Sequence, residues 1–514
     1  MEFKGSILQW PADRPRTSRF IFFLLGALYT TTFAPFHLSL VLPVLLVPVL
    51  YVWLTVAPRD AAGHAFWFGF GLFLSGTYWV INSIVLEGGA PLFVGLILML
   101  GLVVIMATWM AVTGWLVNTL SHGEPLRLIW VAPAAWVLIE WLRGWVLTGF
   151  PWMAVGYSQV SMPMAGFAPV FGVYGASYAL VFSSAALVLV AMSRGALRGV
   201  GFGVAILPWI VGGALSFVGW TEPDGQPLRT TILQVGLPQE KKWEREYFMP
   251  TVDYYRDATE KVANSDLVVW PEVAIPARRW DEHQVALAQL VRKLRRDTAQ
   301  SGQSVAFGVF QFVNERGEEH TYNSVAMLKG NEPINFYQKR HLVPFGEYFP
   351  VPDFVREWMS GVSLNFQDMT PGDDEQPLLE TASGVKVATA ICYEDAYASE
   401  QLYAFPEASL IVNVSNDGWF GETIAPHQHL QIAQMRSLEV GRPTVRSTPN
   451  GVSAFINPDG SLAERGPQAR EWNATRSVQP MTGTTPYIGW GNWPIILLST
   501  LLLGFFWVRS RASL

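Results

Sequence analysis

Eight times along its 514 residues the chain stays apolar for close to the ~20 residues that an α-helix needs to cross a bilayer. The stretches lie at roughly 20–35, 38–57, 64–84, 91–118, 126–146, 167–192, 198–219 and 488–508. Helices buried in a soluble core do not recur at this length in this number, so the pattern predicts an all-α membrane bundle of eight transmembrane helices. Pro43, Pro48 and Pro208 fall inside apolar runs. Neighbouring helices in a bundle can re-satisfy the backbone groups that a proline frees.

Charge follows the same division. Residues 1–220 carry nine Lys or Arg and six Asp or Glu, whereas residues 221–487 carry 24 and 35. Beyond 488 only Arg509 and Arg511 are charged. The expected organisation is a seven-helix transmembrane region at 1–220, a water-soluble domain at 221–487, and an eighth helix with a short tail at 488–514. A net charge of −6 gives no reason to expect nucleic acid as a partner. The single cysteine, Cys392, excludes an internal disulfide framework and any multi-cysteine metal site.

Basic residues in short loops set the orientation. Lys4, Arg14, Arg16, Arg19, Arg59, Arg127, Arg194, Arg198, Arg509 and Arg511 fall on one side, and Arg143 alone on the other. That bias holds only for an even number of spans with both termini cytoplasmic. The soluble domain, after the seventh span, then faces the opposite compartment. No small-residue cleavage site marks the first stretch, which reads as a retained helix and not a removed signal peptide. Arg143 sits against the charge rule, in Glu140-Trp-Leu-Arg-Gly-Trp145 near the outer end of the fifth span. Two readings stand side by side: a guanidinium snorkelling to headgroup level, or a clamp for an anionic phosphate, which its planar fork suits.

From Leu228 on, the hydrophobic period changes. Short β-branched and apolar runs predict strands at 228–235, 266–270, 304–312, 322–328, 385–391, 410–414, 444–447 and 452–456. Helical spacing predicts helices at 244–264, 281–299 and 428–440. Strands outnumber helices and alternate with them only in part. This points to an α/β domain of packed sheets flanked by helices more than to a strict doubly wound sheet.

Cys392 closes the apolar run 387–391 and opens Cys392-Tyr-Glu-Asp395, so its thiol lies at a sheet's edge, where α/β sites form. Most free cysteines are small buried hydrophobes, and that reading stands beside the nucleophilic one. A cysteine nucleophile needs a base, and its oxyanion needs donors. Glu272, in Trp270-Pro-Glu272, also follows a strand, and Lys339 lies in a polar patch, Tyr337-Gln-Lys-Arg-His341, that turns abruptly apolar. Singly, one is an ordinary loop acid and the other a surface lysine. His341 is a rival base, because Cys–His pairing is common.

Together, Trp-Pro-Glu272, Lys339 with His-Leu-Val-Pro-Phe-Gly-Glu347, and Cys392-Tyr-Glu394 follow in this order at intervals of 67 and 53 residues. They resemble the Glu-Lys-Cys triad of the nitrilase superfamily. Such a domain between a seventh and an eighth membrane helix resembles the apolipoprotein N-acyltransferase family. The likeness extends over essentially the whole chain, through Phe33-Ala-Pro-Phe36, Gly156-Tyr-Ser-Gln159, Lys242-Trp243, Ser415-Asn-Asp-Gly-Trp-Phe-Gly421 and Arg446-Ser-Thr-Pro-Asn-Gly451. Pro449 departs from the family's more frequent Asn, a difference confined to the local loop.

The resemblance implies an α-β-β-α sandwich with Glu272 as general base, Lys339 as oxyanion stabiliser and Cys392 as nucleophile. Glu347 and Glu394 become supporting acids that orient the lysine and the base, and His341 returns to a structural role. Trp243 and Tyr393 line the substrate site, with Arg143 as the phosphate candidate. The implied activity is ping-pong acyl transfer through a cysteine thioester at the outer face of the bacterial inner membrane. A phospholipid, expected to be phosphatidylethanolamine, is the donor. The acceptor is the N-terminal α-amine of a diacylglyceryl-cysteine apolipoprotein. No metal or cofactor is implied, and a monomer is expected. A membrane-tethered amidase of the same superfamily, with water as acceptor, is the alternative. A transporter is disfavoured by the few internal charges and the lack of an evident repeat pair.

Overall fold

The computed structural model describes residues 14–277, 283–315, 317–349 and 368–511; Lys4, used above for orientation, lies outside them. The chain divides into two units. One is Trp220–Thr484 together with Leu86–Gly88, and the other holds the remaining described residues.

The apolar unit is built of helices. In order these are α1 (Pro15–Tyr29), α2 (Leu42–Thr55), α3 (Pro58–Thr77), α4 (Leu92–Ser121), α5 (Pro125–Arg143), α6 (Ala168–Met192) and α7 (Ala196–Leu215), and Trp493–Arg511 closes the unit. Among the described residues five helices are long and apolar enough to cross a membrane. They are six if α3 and Val80–Leu86, bent by 57° at the break between them, form one span. The expectation of eight is thus met in part. The stretches at 20–35 and 38–57 form helices of 15 and 14 residues. At 1.5 Å per residue these reach about 22 Å, against a hydrocarbon core of ~30 Å. Lipid is as apolar as a leucine side chain, so polar groups help to tie the helices together. Asn118 on α4 donates to the carbonyls of Trp53 and Val56, at 2.6 and 2.8 Å.

The polar unit is a four-layer sandwich. Its strands are β1 (Thr221–Pro223), β2 (Leu228–Gln234), β3 (Leu267–Val269), β4 (Ser304–Glu315), β5 (Glu318–Lys329), β6 (Asn335–Gln338) and β7 (Leu379–Glu380). They continue as β8 (Lys386–Ile391), β9 (Leu410–Val414), β10 (Thr444–Ser447), β11 (Ala454–Ile456), β12 (Leu462–Arg465), β13 (Trp472–Val478) and β14 (Met481–Gly483). One sheet runs β13-β2-β3-β4-β5-β6, the other β12-β11-β10-β9-β8-β7, and β1 pairs with β14. The strands β2-β3-β4 of the first sheet and β8-β9-β10 of the second are parallel.

Ile232, Leu267, Val269 and Val325 of the first sheet share one buried core with Val387, Ile391, Val412 and Val445 of the second. Each such side chain contributes about 1.5–3 kcal/mol. Helices α8 (Arg245–Lys261) and α9 (His283–Ser301) cover the outer face of the first sheet, through Phe248, Tyr255, Leu290 and Leu294 against Val268 and Val305. Helix α10 (Ala425–Val440) covers the second, through Leu430 and Ala433 against Val452 and Ala454.

Six strands, β1, β6, β7, β12, β13 and β14, lie outside the runs that the sequence predicts. β13 pairs with β2 over seven residues, yet its Asn473, Thr475, Arg476 and Ser477 show no apolar alternation. β6, which delivers the chain to Lys339, is equally mixed.

Candidate active site

Parallel strands present side chains at their carboxyl ends, and two of the three predicted residues arrive that way. Glu272 follows β3 and Cys392 follows β8, while Lys339 follows β6, an antiparallel neighbour of β5. All three are buried, with exposures of 5, 7 and 1%.

The turn bearing Glu272 lies directly against β4. Gly308 donates its N–H to the Pro271 carbonyl at 3.1 Å and accepts from the Ala274 N–H at 2.9 Å. A Cβ at position 308 would stand 2.6 Å from the Glu272 Cα and 2.5 Å from the Pro271 carbonyl oxygen. Only glycine admits this approach.

Glu272 Oε1 accepts from Asn323 Nδ2 at 2.7 Å and lies 3.6 Å from Lys339 Nζ. Its Oε2 is buried with no hydrogen-bond partner among the described residues, which leaves an acceptor open for a proton. Lys339 Nζ stands 2.9 Å from each oxygen of Glu347. Glu347 also accepts from Asn323 Nδ2 at 2.9 Å and from the Val343 N–H at 2.8 Å. Burial opposes the lysine's charge, but Glu347, Glu272 and Cys392 together outweigh it, so Lys339 holds its proton more tightly than an ordinary lysine. Asn323, which spans both acids, escaped the sequence reading because it sits in a strand with nothing to distinguish it.

Cys392 adopts φ 52°, a left-handed conformation that a Cβ disfavours. Burial pushes its thiol up most, and Glu272 adds to this; Lys339 pulls it back, and Asp417 raises it again. The net effect is upward, so the resting group is a thiol and needs a base.

Glu394 Oε2 accepts the Ile391 N–H at 2.7 Å. Its Oε1 accepts the Arg340 N–H at 2.7 Å and the Tyr337 hydroxyl at 3.0 Å. These bonds fasten the segment around Lys339 to the turn of Cys392. His341 faces elsewhere: its Nδ1 is 2.9 Å from Glu400 Oε1 and its ring stacks on Tyr397 at 3.6 Å.

Residues 25–186 match the family described as "Apolipoprotein N-acyltransferase N-terminal domain", and residues 230–487 match "Carbon-nitrogen hydrolase". The apolipoprotein N-acyltransferase of Methylococcus capsulatus is 38% identical over 492 residues, covering 95% of this chain and 95% of that one. That of Azotobacter vinelandii is 39% identical over 495 residues, covering 95% and 94%. The chain belongs to the apolipoprotein N-acyltransferase family.

In this family member the aromatic candidates flank the triad-bearing turns. Trp243 stacks on Phe310 at 6.0 Å and is 37% exposed. Its neighbour Lys242 donates to the Glu272 carbonyl at 3.2 Å. The ring of Tyr393 lies 5.2 Å from Tyr397 and 5.8 Å from His341, edge-on to both.

Arg143 lies in the apolar unit. It is buried, and its Nη1 donates to the carbonyls of Phe150 and Trp152 at 2.7 and 2.6 Å. The Phe73 ring lies 5.3 Å from its guanidinium. A guanidinium so engaged holds the loop after α5. Glu140 anchors the same region, accepting from Trp136 Nε1, the Val155 N–H and Ser177 Oγ at 2.9, 2.8 and 2.7 Å.

Proposed function

We propose that this acyltransferase moves an acyl chain from a phospholipid, through a thioester on Cys392, to the N-terminal α-amine of a diacylglyceryl-cysteine apolipoprotein. One observation carries the reading: a carboxylate oxygen with no partner among the described residues, a held ammonium and a thiol on a strained backbone come together from strand ends of the two facing sheets, in a chain that also carries spanning helices.

Glu272 takes the Cys392 proton, since only the thiolate is a good nucleophile. The thiolate attacks the ester carbonyl, and Lys339 with the N–H of Tyr393 stabilises the oxyanion, each donor being worth about 3–4 kcal/mol. Protonated Glu272 returns its proton to the leaving lysophospholipid, and the thioester remains. The amine of the acceptor then attacks, Glu272 takes up its proton, and the amide forms as the thiol leaves. A thioester is a more activated acyl group than an amide, so the second half-reaction runs downhill with no nucleotide.

Phosphatidylethanolamine is the donor in this reading. The inner membrane is crossed eight times, with both termini cytoplasmic and the catalytic domain periplasmic; the one-sided placement of short-loop basic residues supports this topology. A single chain carries all three triad residues, which supports a monomer.

Intact-mass analysis after incubation with phosphatidylethanolamine micelles tests the reading. A hydroxylamine-labile acyl adduct on wild type, absent from Cys392→Ala, is the expected result. An adduct that persists in Cys392→Ala would sink the mechanism.

A further inference from the structure

Behind Cys392 lies a buried polar chain that the steps above leave unused. His429, on α10 and 1% exposed, presents Nδ1 to Asp417 Oδ1 at 2.8 Å and Nε2 to the carbonyl oxygen of Cys392 at 3.1 Å. Arg446 Nη2 donates to both Asp417 oxygens, at 3.0 and 3.2 Å, and the Ser415 hydroxyl donates to Oδ1 at 3.0 Å. Arg446 Nη1 reaches Asp395 Oδ2 at 3.2 Å and also Asn413. Asp417, Asp395 and Arg446 are all buried.

A carbonyl oxygen only accepts. Asp417 accepts as well: burial opposes its charge, but Arg446 and His429 hold its carboxyl well below the usual range. The ring nitrogen that faces the Cys392 carbonyl, Nε2, is therefore the donor of that bond.

A trans peptide unit is planar, so its C=O and the following N–H point in opposite directions. Gripping the Cys392 carbonyl on the His429 side turns the N–H of Tyr393 away from that side. The grip acts on a residue at φ 52°, where the backbone would otherwise relax toward a commoner conformation.

We infer that His429 is a positioning residue of acyl transfer: by holding the Cys392 carbonyl it aims the Tyr393 N–H as the oxyanion donor that complements Lys339. This rests on the acyl-transfer reading above and deepens it.

Oxyanion donors act when a carbonyl oxygen becomes anionic, as in acylation. They do not act when a thiolate displaces iodide from iodoacetamide. The test therefore compares two rates on full-length enzyme in detergent: single-turnover acylation by phosphatidylethanolamine, and alkylation of Cys392 by iodoacetamide. His429→Ala is expected to slow acylation about 100-fold while alkylation stays within about threefold. His429→Gln, whose amide keeps one donor, is expected to recover about tenfold of that loss, again with alkylation unchanged. The glutamine variant alone decides the matter if the alanine variant does not fold. Equal loss in both rates would overturn the inference, and so would wild-type acylation in either variant. Wild-type acylation, run in parallel, tests the underlying reading separately.

Discussion

The Lys339 ammonium stands 3.6 Å from Glu272 Oε1, near enough for attraction but too far for a hydrogen bond. Its hydrogen bond goes to Glu347 at 2.9 Å. Glu347 thus satisfies the lysine, and Glu272 keeps an oxygen open for the thiol's proton. Two acids around one cation divide their work by distance, and Asn323 bridges them by donating to each.

The first prediction concerns the thiol. Burial raises it, Glu272 raises it further and Lys339 lowers it. In Glu272→Gln a negative neighbour is gone, so Cys392 should titrate at lower pH than in wild type. In Lys339→Met a positive neighbour is gone, so it should titrate at higher pH. Iodoacetamide labelling rates against pH give both midpoints, and shifts of the same sign would contradict the placement. Acyl transfer should fall about 10²–10⁴-fold in the glutamine variant and about 10²–10³-fold in the methionine variant.

Gly308→Ala should move the base without altering its carboxylate. The added methyl would meet the Glu272 turn at 2.5–2.6 Å, and that backbone has to give way. A displacement near 1 Å can cost about 100-fold in rate, and the overpacking about 1–3 kcal/mol in stability. Turnover and thermal unfolding measure both; unchanged turnover would show that the turn tolerates a side chain.

Glu394 links stability to pH. Burial raises its carboxyl from 4.5 to about 7. An acid with a raised pKa binds protons more readily in the folded than in the unfolded chain. Its contribution therefore favours the fold below 4.5, declines as pH rises to about 7, and is level above that. Glu394→Gln removes this slope. Wild type should lose about 3 kcal/mol relative to the variant across that window, as read from unfolding midpoints at successive pH values. A difference that runs the other way would refute the assignment.

Arg143→Met should destabilise the apolar unit. It strips the donor from the Phe150 and Trp152 carbonyls, and each buried acceptor left unsatisfied costs about 1–3 kcal/mol. Arg143→Lys should recover part of the loss. If the side chain instead held a lipid phosphate, KM for phospholipid would rise while the unfolding temperature stayed put.

Much of this molecule is legible one segment at a time. Apolar runs near bilayer length, the segregation of charge, and the strand-like runs ahead of Glu272 and Cys392 all depend on residues close together in the chain. The order of Trp-Pro-Glu272, Lys339 and Cys392-Tyr-Glu394 was visible as well, because turns at strand ends keep short motifs intact. Partners were not visible. Asn323 on β5, His429 on α10 and Gly308 on β4 sit in elements whose patterns describe packing alone.

Arg143 shows why the division falls there. Its position against the charge rule was plain from the chain, but whether the guanidinium met phosphate or carbonyl depended on where the loop at 144–152 returned. Hydrophobic period and charge are local properties and survive in a linear reading. Hydrogen-bond partners, close backbone approach and a thiol's surroundings arise only when segments far apart in the chain pack together, and the tertiary structure alone decided them.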